Sequence, residues 1–205
     1  MHVKTVRLFD NDTLESLTRV HPIVPLLFWS PVIVYLLWQS VSAHELSIAQ
    51  ISTLVIPGIL AWSFTEYWVH RIPFHYPAKS SFGKRVVFLY HGVHHAAPND
   101  KTRLVMPPAG GVLVMVVLWF LFAQVIPAPW LEPFLAFFIL GYLIYDYLHY
   151  ATHHFRMKSP MMAALTRHHL KHHFASDRTN FGVSSPLWDW VFGTLHRIEK
   201  RSPKW

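Results

Sequence analysis

The chain has 205 residues, 52% of them hydrophobic and 16% aromatic, but only 14% charged; soluble domains carry about 25% charged residues, so much of this surface is built to face lipid. It contains no cysteine, which excludes disulfides and thiolate metal sites. Its net charge of +7 comes without basic runs interleaved with aromatics, so the expected anionic partner is a lipid headgroup and not a nucleic acid.

In chain order, the first 20 residues are polar and lack the charged-then-apolar pattern of a cleaved signal peptide. Four apolar stretches follow, over residues 22–38, 51–69, 110–126 and 131–148. Each is long enough to cross a hydrocarbon layer of about 30 Å as a helix. Pro25, Pro31 and Pro57 are expected to kink the first two, which membrane helices tolerate. All 18 Lys and Arg fall within residues 1–21, 71–108 and 151–205, and the turns 39–50 and 127–129 have none. By the positive-inside rule the basic side is cytoplasmic. The expected architecture is an all-α integral membrane protein of one domain, residues 1–205. Two membrane hairpins carry a cytosolic helical cap built from 70–108 and 149–205, with both termini in the cytosol.

Of 16 histidines only His44 falls on the far side. Most of the rest form four clusters: HRIPFH (70–75), HGVHH (91–95), HYATHH (149–154) and HHLKHH (168–173). On a helix, positions i, i+3 and i+4 share a face. His91, His94 and His95 fit that spacing, as do His169, His172 and His173, while His149 and His153 are an i, i+4 pair. Pro73 is expected to break the helix between His70 and His75. From His95 to His149 the chain has room for one helix across the membrane and one back, so the clusters can meet. Neutral imidazole is a good ligand for iron, zinc, copper or nickel; ten converging imidazoles are too many for one ion and suit two. His2, His21, His44 and His196 stand alone and read as ordinary surface or core residues.

The clusters lack the glutamate of HExxH zinc hydrolases, and the Glu-x-x-His pairs of carboxylate-bridged di-iron bundles are absent. A haem bundle needs one axial pair per haem, not triplets. What remains is an all-histidine two-metal centre at a membrane surface, where iron would activate dioxygen and attack a lipid C–H bond. A metal transporter or sensor, the non-enzyme alternative, would place its ligands at the bilayer midplane.

The order of these clusters resembles the membrane fatty acid hydroxylase superfamily. The phrases EYWVHRIPFHY (66–76), FLYHGVHHAAPNDKTRLVMPP (88–108), YDYLHYATHH (145–154) and HHLKHHF…NFGVSSPLWDWVFGT (168–194) are similar to the fatty acid 2-hydroxylases. The resemblance covers about residues 60–195. It implies a four-helix membrane base under a cytosolic cap, and ten metal ligands: His70, His75, His91, His94, His95, His149, His153, His169, His172 and His173. His154 and His168 lie outside that pattern. The implied activity is O₂-dependent hydroxylation at C2 of a long-chain fatty acid or of a sphingolipid acyl chain. Two iron ions would serve it, and zinc can occupy such sites in purified protein. Desaturation, or hydroxylation of a sterol, carotenoid or amino-lipid, is the alternative for the same centre. Many relatives carry an N-terminal cytochrome b5 domain. Only about 20 polar residues precede the first span here, so electrons are expected from a separate cytochrome b5-like or ferredoxin-like carrier.

Histidine ligands usually donate their second N–H to a carboxylate or carbonyl. Glu66 precedes His70 by four and Asp146 precedes His149 by three, so both are candidates. Asp177 and Asp189 are further acids near the clusters, with a structural place beside Trp188 and Trp190 the rival for Asp189. Tyr145 and Tyr142 lie one and two turns before His149 and are candidates to line the substrate path. Lys101 and Arg103 are expected to contact headgroups.

Overall fold

The structure, a computed structural model, describes residues 5–196, whose regular elements are all helices, joined by loops, with no strand among them. Helix α1 (Asp12–Leu17) belongs to an N-terminal strap. Helices α2 (Ile23–Ser42), α3 (Ile48–Ser52) and α4 (Val55–Val69) make the first hairpin. A π-turn, π1 (His70–Phe74), continues α4. Above it lie α5 (Ser81–Val87), a second π-turn, π2 (Phe88–Gly92), and α6 (Val93–Ala96). Helices α7 (Pro108–Phe122) and α8 (Ala128–His154) make the second hairpin, and α9 (Pro160–Phe174) and α10 (Leu187–Val191) complete the chain.

The apolar helices start and stop where the backbone chemistry requires. Pro57 has no N–H to give Thr53, and its ring crowds that carbonyl; the helix breaks at Thr53–Leu54, separating α3 from α4. Helix α7 ends four residues short of the expected 126. Val125 and Ile126 both turn back to the carbonyl of Phe122 (3.0 and 2.8 Å), because Pro127 holds an extended conformation (ψ 146°) before α8. Helix α8 in turn begins at Ala128 and runs to His154, beyond the expected 131–148, carrying the third histidine cluster as its last turns. Three segments, Ile23–Ser42, Ile48–Phe74 and Ala128–His154, are long and apolar enough to cross a membrane; Pro108–Phe122 is a shorter apolar helix.

Helix α8 is the central post, and α2 and α4 pack against it. Trp62 lies edge-on to both Phe138 (5.3 Å) and Tyr142 (5.2 Å), and Trp29 meets Tyr142 at 6.1 Å. Two glycines let α4 and α8 approach closely. A Cβ at Gly58 would sit 2.6 Å from Phe137 Cβ, and one at Gly141 would sit 2.7 Å from Trp62 Cβ, the small-residue packing typical of helices in lipid. Gly141→Ala is therefore expected to cost about 1–3 kcal/mol by overpacking, read as a lower thermal midpoint of the protein in detergent. On the outside of α2 and α7, Val34, Leu113, Val117 and Phe120 are exposed, as a lipid-facing surface requires. On the far side His44 meets Glu132 at 3.3 Å, tying the first turn to the start of α8.

The strap is latched to the loop before α7. Glu15 is buried, accepts the N–H groups of Leu8 (2.8 Å) and Phe9 (3.2 Å), and pairs with Arg19 and Arg103. Arg103 is thus not a headgroup contact: its side chain is 1% exposed, also donates to Thr18 Oγ1 (2.9 Å), and lies near Asp100. A guanidinium finds a better partner in a fixed carboxylate than in mobile lipid phosphate. Lys101 stays exposed.

Candidate metal centre

The ten histidines meet above α8 as two groups of five. In one, His70, His75, His91, His95 and His172 bring their ligand atoms within 4.8 Å of one another; in the other, His94, His149, His153, His169 and His173 do the same. Each HxxHH triplet is divided between the groups. His91 and His95, one turn apart, serve the first group, while His94 faces the second. In α9, His169 and His173 serve the second group, and His172 faces the first. The shared helices therefore fix the separation of the two groups, which touch where His95 stacks on His173 at 4.2 Å.

His70 and His75 join the same group by a route the sequence concealed. Pro73 does not break the helix; the chain widens into π1 instead. The wider i to i+5 hydrogen bonding of a π-turn brings His75, which follows it, back beside His70, with ring centroids 5.2 Å apart. The first histidine of the second cluster, His91, is likewise delivered by a π-turn, π2.

The contacts inside each group run between Nε2 atoms: His70 to His91 at 3.0 Å, His91 to His95 at 2.9 Å and His75 to His172 at 3.0 Å in the first. In the second, His94 meets His149 and His173, both at 2.9 Å, and His153 meets His169 at 2.8 Å. Hydrogen bonding does not account for this convergence. The Nδ1 of His172 faces the carbonyl of Thr179 (2.8 Å), and that of His70 faces the carbonyl of Phe181 (2.5 Å). A carbonyl only accepts, so both rings carry their proton on Nδ1 and present a lone pair at Nε2. Several lone pairs aimed at one point need a cation between them, so the donor set fits a transition metal in each group. In the second group the Nδ1 atoms of His94, His149 and His169 are buried without a partner among the described residues.

Burial, followed by the neighbouring imidazoles, holds His91, His94, His169 and His173 well below the usual histidine range and His95 down to about 3. Burial likewise lowers His172 to about 4, against the opposing pull of the Thr179 carbonyl. All are neutral ligands at physiological pH. In chelator-stripped protein the folded state takes up fewer protons than the unfolded chain below a pH of about 6.5. Stability is therefore expected to be full above that value and to fall as pH drops toward 4, measurable as a falling thermal midpoint.

The acids act at one remove. Glu66 does not reach His70. It accepts the N–H groups of Val183 (2.5 Å) and Ser184 (2.9 Å) and the Ser184 hydroxyl, because three donors from one loop hold a buried carboxylate better than a single imidazole N–H. Asp189 accepts from Phe181 N (2.8 Å), Gly182 N (2.8 Å) and Thr194 Oγ1 (2.7 Å) and faces His168 Nε2 at 3.0 Å. His168 thus stands outside both groups, and the two acids fasten the 181–184 loop whose carbonyl orients His70. Ser63 and Tyr67, on the same face of α4 as Glu66, bond Trp188 and Thr194 (both 3.0 Å). Asp146 has Tyr142 as its partner (3.4 Å) and leaves His149 Nδ1 free; Asp177 is exposed. Asp146 and Tyr145 line a cavity of about 240 Å³ with His91, His94 and His149, under Leu8 and Phe9 of the strap. His154 lies outside both groups against Tyr150 (4.5 Å). His21 accepts through Nδ1 from Ile23 N (3.2 Å), His196 bonds Asn180 through its N–H (2.7 Å), and His2 lies outside the described residues. The backbone carbonyls of Thr179 and Phe181 were not among the sequence candidates. Their one signal was Asn180, in the left-handed region (φ 58°) before Phe181-Gly182.

Comparison with known proteins gives one consistent answer. The profile described as fatty acid hydroxylase matches residues 53–194. A dihydroceramide fatty acyl 2-hydroxylase of Arabidopsis thaliana is 38% identical over 98% of this chain and 85% of its own length. The fatty acid 2-hydroxylase of Homo sapiens is 34% identical over 94% of this chain, which spans 57% of that longer protein. Among solved structures, full-length scs7p, of which only the hydroxylase domain is visible, superposes with a TM-score of 0.86 at 34% identity, covering 92% of this chain and 71% of that one.

Proposed function

The chain belongs to the fatty acid hydroxylase family as an oxidoreductase similar to the fatty acid 2-hydroxylases, and on that premise we propose that it hydroxylates C2 of a long-chain acyl group, either a free fatty acid or the acyl chain of a (dihydro)ceramide. The observation that carries this is the pair of five-imidazole groups beside a cavity.

His70, His75, His91, His95 and His172 would hold one iron and His94, His149, His153, His169 and His173 the other, with zinc able to occupy the same neutral nitrogen sets. Held there, a pair of irons would supply O₂-dependent oxidation, and electrons would come from a separate cytochrome b5-like or ferredoxin-like donor. The protein supplies the rest. The carbonyls of Thr179 and Phe181 keep the protons of His172 and His70 on Nδ1. Tyr145 and Asp146 line the cavity at the place where the carboxyl or amide end would stop. Regiochemistry is then set by position, since the C–H bonds of an acyl chain are chemically alike. The strap residues Leu8 and Phe9 cover the cavity and exclude water.

We read the membrane arrangement as four spans in a single domain, residues 1–205, with the cap, the metal centre and both termini on the cytoplasmic side. Helix α7 would span about 22 Å at 1.5 Å per residue, short of the usual core, and is accommodated by local thinning. Its loops carry no Lys or Arg on the far side. Lipid mass spectrometry of cells with and without the gene tests the activity: 2-hydroxyacyl species, each one oxygen heavier than its parent, are expected only with it. An unchanged 2-hydroxyacyl profile, or products two hydrogens lighter, would overturn the assignment.

A further inference from the structure

Beneath the metal centre lies a second cavity, of about 50 Å³, between α2, α4, α7 and α8. Its upper end is bounded by His70, Phe74 and Tyr145, and it shares Phe74, Met106 and Tyr145 with the larger cavity above. Its lower end is closed by Trp29 and Met115. Both side chains have another face: they also line a groove of about 260 Å³ between α2 and α7. That groove is walled by hydrocarbon on the surface where α2 and α7 meet the lipid.

The dimensions decide how an acyl chain can fit. From His149 down α8 to Tyr142 is seven residues, about 10 Å at 1.5 Å per residue. A long-chain acyl group with C2 at the metals is longer than that, so its tail cannot end inside the slot. Continuing to Leu135, which lines the outer groove, gives about 21 Å along the same helix. Gly111 leaves room at the junction: a Cβ there would stand 3.2 Å from Trp29 Cζ2.

We propose that the acyl tail passes between Trp29 and Met115 from the inner slot into the α2–α7 groove, so that these two side chains set the chain length the enzyme accepts. This rests on the acyl-hydroxylase reading above. Packing at the junction controls it, because the side chains of Trp29 and Met115 stand between the slot and the groove.

Two variants and one binding measurement test it. In cells supplied with saturated fatty acids of graded length, Met115→Trp is expected to lower the ratio of longest to shortest 2-hydroxyacyl product by roughly tenfold or more, the scale on which steric exclusion discriminates chains. Trp29→Ala is expected to raise that ratio. Wild-type ratios in both variants would overturn the inference. Independently of turnover, a long-chain fatty acid brominated near its methyl end should quench the tryptophan fluorescence of detergent-solubilised protein, and Trp29→Phe should remove part of that quenching. Equal quenching in wild type and Trp29→Phe would also overturn it. If the wild type makes no 2-hydroxyacyl product but the Trp29-dependent quenching is present, the slot stands and the reaction assignment fails.

Discussion

Replacing His172 with alanine is expected to reduce bound metal from two ions per chain to about one and to cut 2-hydroxyacyl product by roughly a hundredfold or more. Loss of an outer partner of a ligand already costs 10–100-fold, and loss of the ligand itself costs more. His172 is fully buried, its Nε2 lies 3.0 Å from that of His75 and 3.2 Å from that of His95, and its Nδ1 is fixed by the Thr179 carbonyl. No other described side chain is placed to replace it in that group. His154→Ala is the matched control: same residue type, at the end of α8 beside His153, outside both groups. It should keep both metals and product within about twofold. Metal analysis of the two purified variants separates the outcomes, and full metal content in His172→Ala would sink the ligand assignment.

Gly182→Ala is expected to weaken the first site without touching a ligand. A Cβ at Gly182 would stand 2.1 Å from the backbone oxygen of Ser185 and 3.0 Å from Asp189 Oδ2. Backbone cannot move aside as the end of a flexible side chain can, so the 181–184 loop must shift. That loop carries the Phe181 carbonyl onto His70 and is held by Glu66 and Asp189. Metal affinity at the site containing His70 should fall roughly 10–100-fold, as for loss of a ligand's hydrogen-bond partner, while the other site binds normally. Competitive chelator titration gives the two affinities separately. Equal weakening of both sites, or of neither, would show that the loop does not act through His70.

Much of this was legible in the residues because it depends on local chemistry. Apolar length marked the membrane helices, and the family phrases from EYWVHRIPFHY to WDWVFGT named the relatives found by comparison. The i, i+3, i+4 spacing of imidazoles placed the histidines on common helical faces. Pairing across the fold is not local. That Glu66 would serve Val183 and Ser184, more than a hundred residues on, leaves no mark in its neighbourhood; only the docking of the 181–194 segment on α4 decides it. Arg103 reads as a surface cation until Glu15 of the strap arrives to pair with it. The histidine pair around Pro73 is the clearest division. Residue type identified His70 and His75 as candidates. Their convergence depended on the backbone widening into a π-turn at His70–Phe74, a choice made by the packing around it. Likewise the spacing within each triplet indicated a single shared direction, which the structure corrects. Only the tertiary structure, by setting α6, α8 and α9 against π1, decided that each triplet would be divided between two sites, because which nitrogen meets which depends on how helices cross and not on the order of residues within any one of them.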